Sequence, residues 1–261
     1  MTPAPTSIVV TGASSGIGEA LALHYAQRGR TLGLTGRDRD RLDGVAARCR
    51  ASGCDVHTAT IDVRDRAGLA RWLVEFDRLA PIDLAVANAG VSTGTPPGQL
   101  LEDADAADRV MEVNVLGVLN TIQPLLPLMI ARGRGQIAII SSIAGLIPLA
   151  DSPAYCGSKA GIRSYGLALR QRVHATGVCV NVVCPGYIAT PMTDGIRGWK
   201  PLEMSLETAT AHIVGGLARD RAVIAFPWPL VMAARFGAAL PEWLSRVVTR
   251  PFRRVHASRP R

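Results

Sequence analysis

No stretch of this chain reads as a secretory leader or a membrane span. The first apolar run, Ile8–Val10, passes straight into a glycine-rich turn, which is not how a free leader segment continues. The most apolar late stretch, Phe226–Leu244, is interrupted by Pro227, Pro229, Arg235, Pro241 and Glu242, so no transmembrane helix is expected. Paired cysteines are missing too. Cys49, Cys54, Cys156, Cys179 and Cys184 form no CxxC pair, take no metal-ligand spacing with the five histidines, and are odd in number, which argues against a full disulfide set. A reducing cytoplasm and no metal site are the expectation. Acid is absent from residues 246–261, where Arg246, Arg250, Arg253, Arg254, Arg259 and Arg261 supply +6 of the formal net charge of +8. The body is therefore nearly neutral and is not expected to bind nucleic acid; an electrostatic partner such as acidic lipid or a polyanion would be confined to this tail, which could equally be a solvated extension without one. Lysine is the scarcest basic residue, with only Lys159 and Lys200 among 29 lysines and arginines.

What is present is a chain of 261 residues, 48% hydrophobic, long enough to bury one α/β core. Short β-branched apolar runs alternate with amphipathic stretches. Strands are expected at 7–11, 31–35, 56–61, 84–87, 136–141, 178–184 and 222–226. Helices are expected at 17–28, 39–49, 67–79, around 105–132, and at 154–176 and 206–218. Strands such as Ile137–Ile140 and Val178–Val183 are apolar on both faces, as when helices cover both sides of a parallel sheet, so a doubly wound α/β fold is expected. Residues 190–205 read as an irregular loop. With no second core and no internal repeat, one domain over 1–245 and a basic extension over 246–261 are expected.

Thr11-Gly12-Ala13-Ser14-Ser15-Gly16-Ile17-Gly18 joins the first strand to the first helix, where glycines let backbone N–H groups and the helix dipole approach a pyrophosphate. The spacing Gly-x-x-x-Gly-x-Gly resembles that of the short, single-domain dehydrogenase/reductases. That resemblance implies a single-domain Rossmann-type sheet and a nicotinamide cofactor held by Gly12, Ser14, Ser15, Gly16, Ile17 and Gly18. It also matches Asp62-Val63 to the family's adenine contact and Asn88-Ala89-Gly90 to its Asn-Ala-Gly motif. At the end of the second strand an NAD enzyme of the family would carry an acid at position 36. Here Gly36 has no side chain and Arg37 can pair with a 2′-phosphate, which favours NADP(H) over NAD; Arg37 as an ordinary surface arginine, balanced by Asp38, is the plainer alternative.

Tyr155 and Lys159, four residues apart at the start of a helix, share one face about a turn from each other. A free phenol, with a pKa of about 10, is mostly protonated at neutrality, and a nearby ammonium favours the phenolate and so general acid/base work. Ser142 ends the fifth strand at the carboxyl edge, where a hydroxyl can hydrogen-bond a substrate carbonyl. Ser141 competes for that role, and the resemblance favours the second position. Asn114 lies mid-helix, where a short amide is a poor helix former unless its side chain has a task. The resemblance supplies that task, a water linking Lys159 to solvent, and likens Pro185, Gly186, Ile188 and Thr190 to the segment that meets the cofactor's carboxamide. Cys156, beside the tyrosine, reads either as a reactive thiol or as a small filler.

These readings point to hydride exchange between a nicotinamide and a carbonyl or alcohol. A catalytically silent nucleotide sensor and a membrane-associated relative, the latter resting on the tryptophans, prolines and arginines of 226–254, are the alternatives. Met192, Ile196, Trp199, Leu202 and Met204 suggest an apolar substrate or a loop packing its own hydrophobes. Leu116, Val118, Leu119, Ile122, Leu167, Leu169 and Val173 on the two long helices suggest a homodimer, or a homotetramer if residues 227–261 do not block a second interface.

Overall fold

The computed structural model describes residues 4–244 apart from 97, 195, 198 and 242, together with Val255–His256. Seven parallel strands form one sheet: β1 (Ser7–Thr11), β2 (Thr31–Gly36), β3 (Asp55–Thr60), β4 (Leu84–Ala87), β5 (Gly135–Ile140), β6 (Val178–Pro185) and, beyond a two-residue β7 (Ile196–Arg197), β8 (Val223–Phe226). Their order is β3-β2-β1-β4-β5-β6-β8. Each connection is a helical crossover: α1 (Gly16–Tyr25), α2 (Arg39–Ala51), α3 (Arg66–Leu79), α4 (Ala104–Met111) with α5 (Gly117–Ile122) and α6 (Leu126–Ala131), α7 (Pro153–Val173), and a last crossover containing α8 (Pro191–Asp194) and α9 (Leu206–Ala218). Apart from the helix expected near 105–132 and the short α8 inside the expected 190–205 loop, the expected strand and helix boundaries agree to within a few residues.

Alternation along the strands builds two cores. Ile8 and Val10 face α1, α2 and α9 together with Leu21, Leu34, Leu42 and Ile213, whereas Val9, one residue out of phase, faces the opposite layer with Leu73, Phe76, Ile122 and Ile162. Both faces are thus covered, which is why these strands carry continuous apolar runs.

The single long helix expected near 105–132 is divided. After α4 (Ala104–Met111) comes one π turn, Glu112–Leu116, then α5 (Gly117–Ile122), a break, and α6 (Leu126–Ala131). Two causes are visible. Asn114 sits in the π turn with its amide bonded to the backbone of Val91, and Pro124, which lacks an N–H, falls in the break before α6, whose first turn holds Pro127. By length and composition Ala104–Ala131 could cross a membrane. Val110, Val113, Val118, Ile122, Leu125 and Met129 from it are buried within this molecule, however, so its apolarity serves the core.

Past β8 the structure adds α10 (Trp228–Ala239), a helix that the interrupted apolar pattern did not reveal. Pro229 occupies its first turn, where a missing N–H does no harm, and Pro241 follows its end. Of the expected 246–261 extension only Val255–His256 lie within the described residues. They form β9, antiparallel to β7 with Ile196 opposite His256 and Arg197 opposite Val255.

Candidate active site

The strand order reverses between β1 and β4, and in such sheets the crevice outside their carboxyl ends is where ligands bind. The turn after β1 and the Asn88-Ala89-Gly90 segment after β4 meet there. Asn88 donates through Nδ2 to Thr11 O (2.9 Å) and Gly12 O (3.0 Å), and the Asn88 and Ala89 N–H groups both donate to Thr11 Oγ1. Close approach requires glycine at two positions. A Cβ on Gly12, whose φ is +67°, would lie 2.8 Å from Ala89 Cα, and one on Gly18 would lie 2.3 Å from Gly12 O. Ser15 caps α1 with extended backbone and no side-chain bond, so the first-turn N–H groups of Ile17 and Gly18 carry no side-chain cap and fit an anionic pyrophosphate. Across the mouth, Thr190 Cγ2 would be 3.5 Å from a Cβ on Gly16.

At the far end of the crevice, Gly36 closes β2 and Ser14 stands beside it, 3.2 Å from where a Cβ would be. Arg37 is exposed, and no hydrogen bond or ion pair of its guanidinium is recorded among the described residues. Asp38, the neighbouring acid that could have made it an ordinary paired arginine, is otherwise engaged: it caps α2 through Arg41 N (3.1 Å) and pairs with the Arg41 side chain. Asp62 is clamped by Arg64, whose backbone N–H (2.9 Å) and guanidinium both donate to it, and Arg64 reaches on to Glu112 (3.1 Å). Burial pushes the Asp62 carboxyl upward, but the Arg64 hydrogen bonds and charge, with a contribution from Arg37, outweigh it and hold the carboxyl below its ordinary value. Val63 next to it is buried, and its carbonyl accepts from Asn120 Nδ2 (2.9 Å).

The four residues expected to carry the chemistry come together at the carboxyl ends of β4 and β5. Tyr155 and Lys159 project from one face of α7, with Lys159 Nζ 5.8 Å from the Tyr155 ring centroid. Lys159 is 5% exposed and donates to Ile140 O (2.9 Å). Burial pulls its pKa down to about 8; Cys184 opposes this only where ionised, and burial pushes that thiol up to about 11. Ser142 caps a short 3-10 turn at the end of β5, its Oγ accepting from Ala144 N (3.1 Å). Ser141, the competing residue, is buried and donates to Lys159 O (2.8 Å), a structural bond to the helix that bears the lysine. Asn114 is fully buried. Its Oδ1 accepts from Val91 N (2.8 Å), and its Nδ2 donates to Val91 O (2.9 Å) and Ser158 Oγ (3.1 Å). Gly90 separates it from Lys159: a Cβ there would lie 3.3 Å from Asn114 Oδ1 and 3.4 Å from Lys159 Nζ.

Two supporting residues escaped the sequence reading. Ser158 passes Asn114 on to α7, donating to Tyr155 O (2.8 Å). Glu102 accepts from Ala154 N (2.8 Å) and so caps the helix that bears Tyr155. Ser158 could have been suspected from its place inside the Tyr/Lys spacing, whereas Glu102 lies 52 residues from its partner and carries no local signal. Cys156 is buried against Leu149, as suits a filler.

The Pro185-Gly186 segment continues β6. Gly186 N donates to Phe226 O (2.8 Å), Ile188 is buried, and Thr190 forms a compact turn with Thr193. Met204 is tied back through Tyr187 O and Ala189 N and packs on the core, while Met192, Trp199 and Leu202 stay exposed; the Ile196 side chain lies outside the described residues. The loop therefore packs one of its hydrophobes and leaves three at the surface.

Residues 6–201 match the short chain dehydrogenase family. An uncharacterized oxidoreductase of Myxococcus xanthus is 32% identical over 246 residues, covering 94% of this chain and 96% of its own. The structure of a short-chain dehydrogenase from Sphingobium yanoikuyae in complex with NADPH superposes with a TM-score of 0.78 at 28% identity, over 90% of this chain and 96% of that one. A short chain dehydrogenase/reductase from Burkholderia phymatum in complex with NAD shares the fold, with a TM-score of 0.80 at 22% identity over 88% and 92% of the two chains. With most of its length matched and its glycine turn, sheet edge and Tyr/Lys helix converging on one crevice, the chain is an oxidoreductase of the short chain dehydrogenase family.

Proposed function

We propose that the protein reduces a ketone or aldehyde of apolar character to the alcohol, with NADPH as cofactor. The observation that carries the reading is the buried Lys159 ammonium beside Tyr155, whose one hydrogen bond among the described residues goes to the Ile140 carbonyl. A buried lysine with N–H groups left without a partner among the described residues is costly unless a ligand completes it, and ribose hydroxyls fit that need. When bound, the nicotinamide supplies the hydride to the carbonyl carbon. Ser142 Oγ donates a hydrogen bond to the carbonyl oxygen and Tyr155 gives it the phenolic proton, so the oxygen leaves as a hydroxyl and the tyrosine as a phenolate. Lys159 steadies that phenolate by its charge and holds the ribose, and Asn114 fixes Gly90 and Val91 beneath it.

The NADPH preference rests on Gly36, which leaves no carboxylate at the ribose, and on Arg37, whose charge Asp38 does not neutralise. The free state of all five cysteines suits a reducing cytoplasm. A homodimer through α4, α5 and α7 is the assembly we favour, because Leu116 and Met111 remain exposed there, with Leu119, Leu167 and Leu169 half-buried beside them.

A panel of ketones and aldehydes assayed with NADPH and with NADH tests this. Expected is NADPH oxidation by several apolar carbonyls in the wild type and a loss of several orders of magnitude in Tyr155→Phe, with NADPH affinity little changed because only the transferable proton is gone. Near-normal turnover in Tyr155→Phe, or preference for NADH, would remove the corresponding half of the assignment.

A further inference from the structure

The outward face of α10 is built unlike a solvent face. Leu230, Val231, Ala234 and Gly237 point inward, with Leu230, Val231 and Ala234 packing beside Ile143 and Tyr187 at the edge of the site. The opposite face carries Trp228 (74% exposed), Met232 and Phe236 (67%) at four-residue spacing, and Trp243 (70%) follows the helix. Arg235 is the one charged residue of that helix. Exposed large hydrophobes scattered singly are ordinary, but three in register on one helix, two of them aromatic, form a patch that water alone does not explain.

The chain after Trp243 indicates what covers it. Residues 246–261 bring six arginines and no acid, attached within a few residues of the patch, while the remainder of the molecule is close to neutral. The β7–β9 pairing returns this tail to the loop that bears exposed Met192, Trp199 and Leu202. Two copies joined face to face here would bring like charges together, whereas an anionic surface is complementary to both features: tryptophan rings settle at the headgroup level and arginines bind the phosphates.

We propose that α10 and the arginine tail dock the protein reversibly on an anionic lipid surface, with the active-site mouth turned toward the bilayer. The surface does not depend on catalysis, so the inactive Tyr155→Phe chain serves as its control.

The experiment is co-sedimentation of the full-length protein with phosphatidylcholine vesicles, with and without a one-third share of phosphatidylglycerol. Expected is binding to the anionic vesicles that Tyr155→Phe retains. Replacing Arg246, Arg250, Arg253 and Arg254 by glutamine should lower partitioning by roughly 600-fold if all four reach the surface, at about one fivefold step per charge. The exposed pair Trp228→Ser and Phe236→Ser should lower it as well, while both variants keep the melting temperature and the turnover of a water-soluble ketone. No sedimentation, or equal sedimentation with neutral vesicles, would overturn the proposal. So would a Trp228/Phe236 variant that binds vesicles normally but changes mass in light scattering, since the patch would then be an interface between copies.

Discussion

Replacing Lys159 by methionine should stabilise the nucleotide-free protein while abolishing its activity. Burial lowers this lysine from 10.5 to about 8, and at roughly 1.4 kcal/mol per unit the charged form then costs the native state about 3 kcal/mol at neutral pH. Methionine has nearly the same length and no charge to desolvate. What is lost is the bond to Ile140 O, worth about 1 kcal/mol, so the variant should gain about 1–2 kcal/mol, or roughly 2–8 °C in melting temperature for a chain of this size.

The pH dependence gives the test its edge. Because the folded pKa lies below the unfolded one, the unfolded chain holds more protons between about pH 8 and 10.5, and wild-type stability rises with pH across that window. The methionine variant has no such term, so its advantage should be full near pH 7 and close as the pH passes through 8 toward 10.5. Thermal unfolding without nucleotide, at fixed protein concentration, measures both. A variant that melts below the wild type at pH 7, or a gap that stays constant from pH 7 to 10, would refute the idea that the lysine is held charged against its solvation.

Asn114→Ala should lower stability by about 2–4 kcal/mol, because it strips partners from Val91 N, Val91 O and Ser158 Oγ at once; a urea midpoint equivalent to a loss under 0.5 kcal/mol would show that water replaces the amide. Arg37→Ala should weaken NADPH by roughly 10–150-fold and leave NADH nearly unchanged, the loss of one charged hydrogen bond. Adding Gly36→Asp should turn the preference toward NADH once Ser14 yields a few tenths of an ångström, and equal losses for both nucleotides in titration calorimetry would place Arg37 elsewhere. Light scattering at micromolar concentration should give a dimer that Leu116→Glu dissociates; an active monomer would remove the helix-pairing premise.

The alternation of strand and helix, and therefore the sheet, was legible because each βα unit has its own period and its own glycine or proline stop. Ile8, Val9 and Val10 are apolar for two different cores, and the run alone announces that both faces are covered. The division of the helix at 104–131 was not legible in the same way. Asn114 stood out as a poor helix former, but only its bonds to Val91, 23 residues away, show that the turn widens around it. Helix α10 was hidden for the opposite reason: Pro229 and Pro241 looked like interruptions, whereas they mark its first turn and its end.

The same contrast runs through the site. Tyr155 and Lys159 were readable because their relation is local, one turn of one helix, and Ser142 because it terminates a strand whose edge is already a ligand edge. Their support is not local: Glu102 caps Tyr155's helix and Ser141 holds Lys159's carbonyl, and these bonds exist only once β5, α7 and the loop before α4 are assembled. The rim differs again, since Met192, Trp199 and Leu202 follow β6 and α10 follows β8, on the segments where the parallel sheet has run out. On the proposed function, a rigid centre fixed by buried polar bonds and bordered by exposed apolar side chains on separate segments lets the rim vary without disturbing the chemistry. Changes at Tyr155, Lys159 or Asn114 should therefore act on turnover, and changes at Trp199 or Leu202 on which carbonyl is accepted.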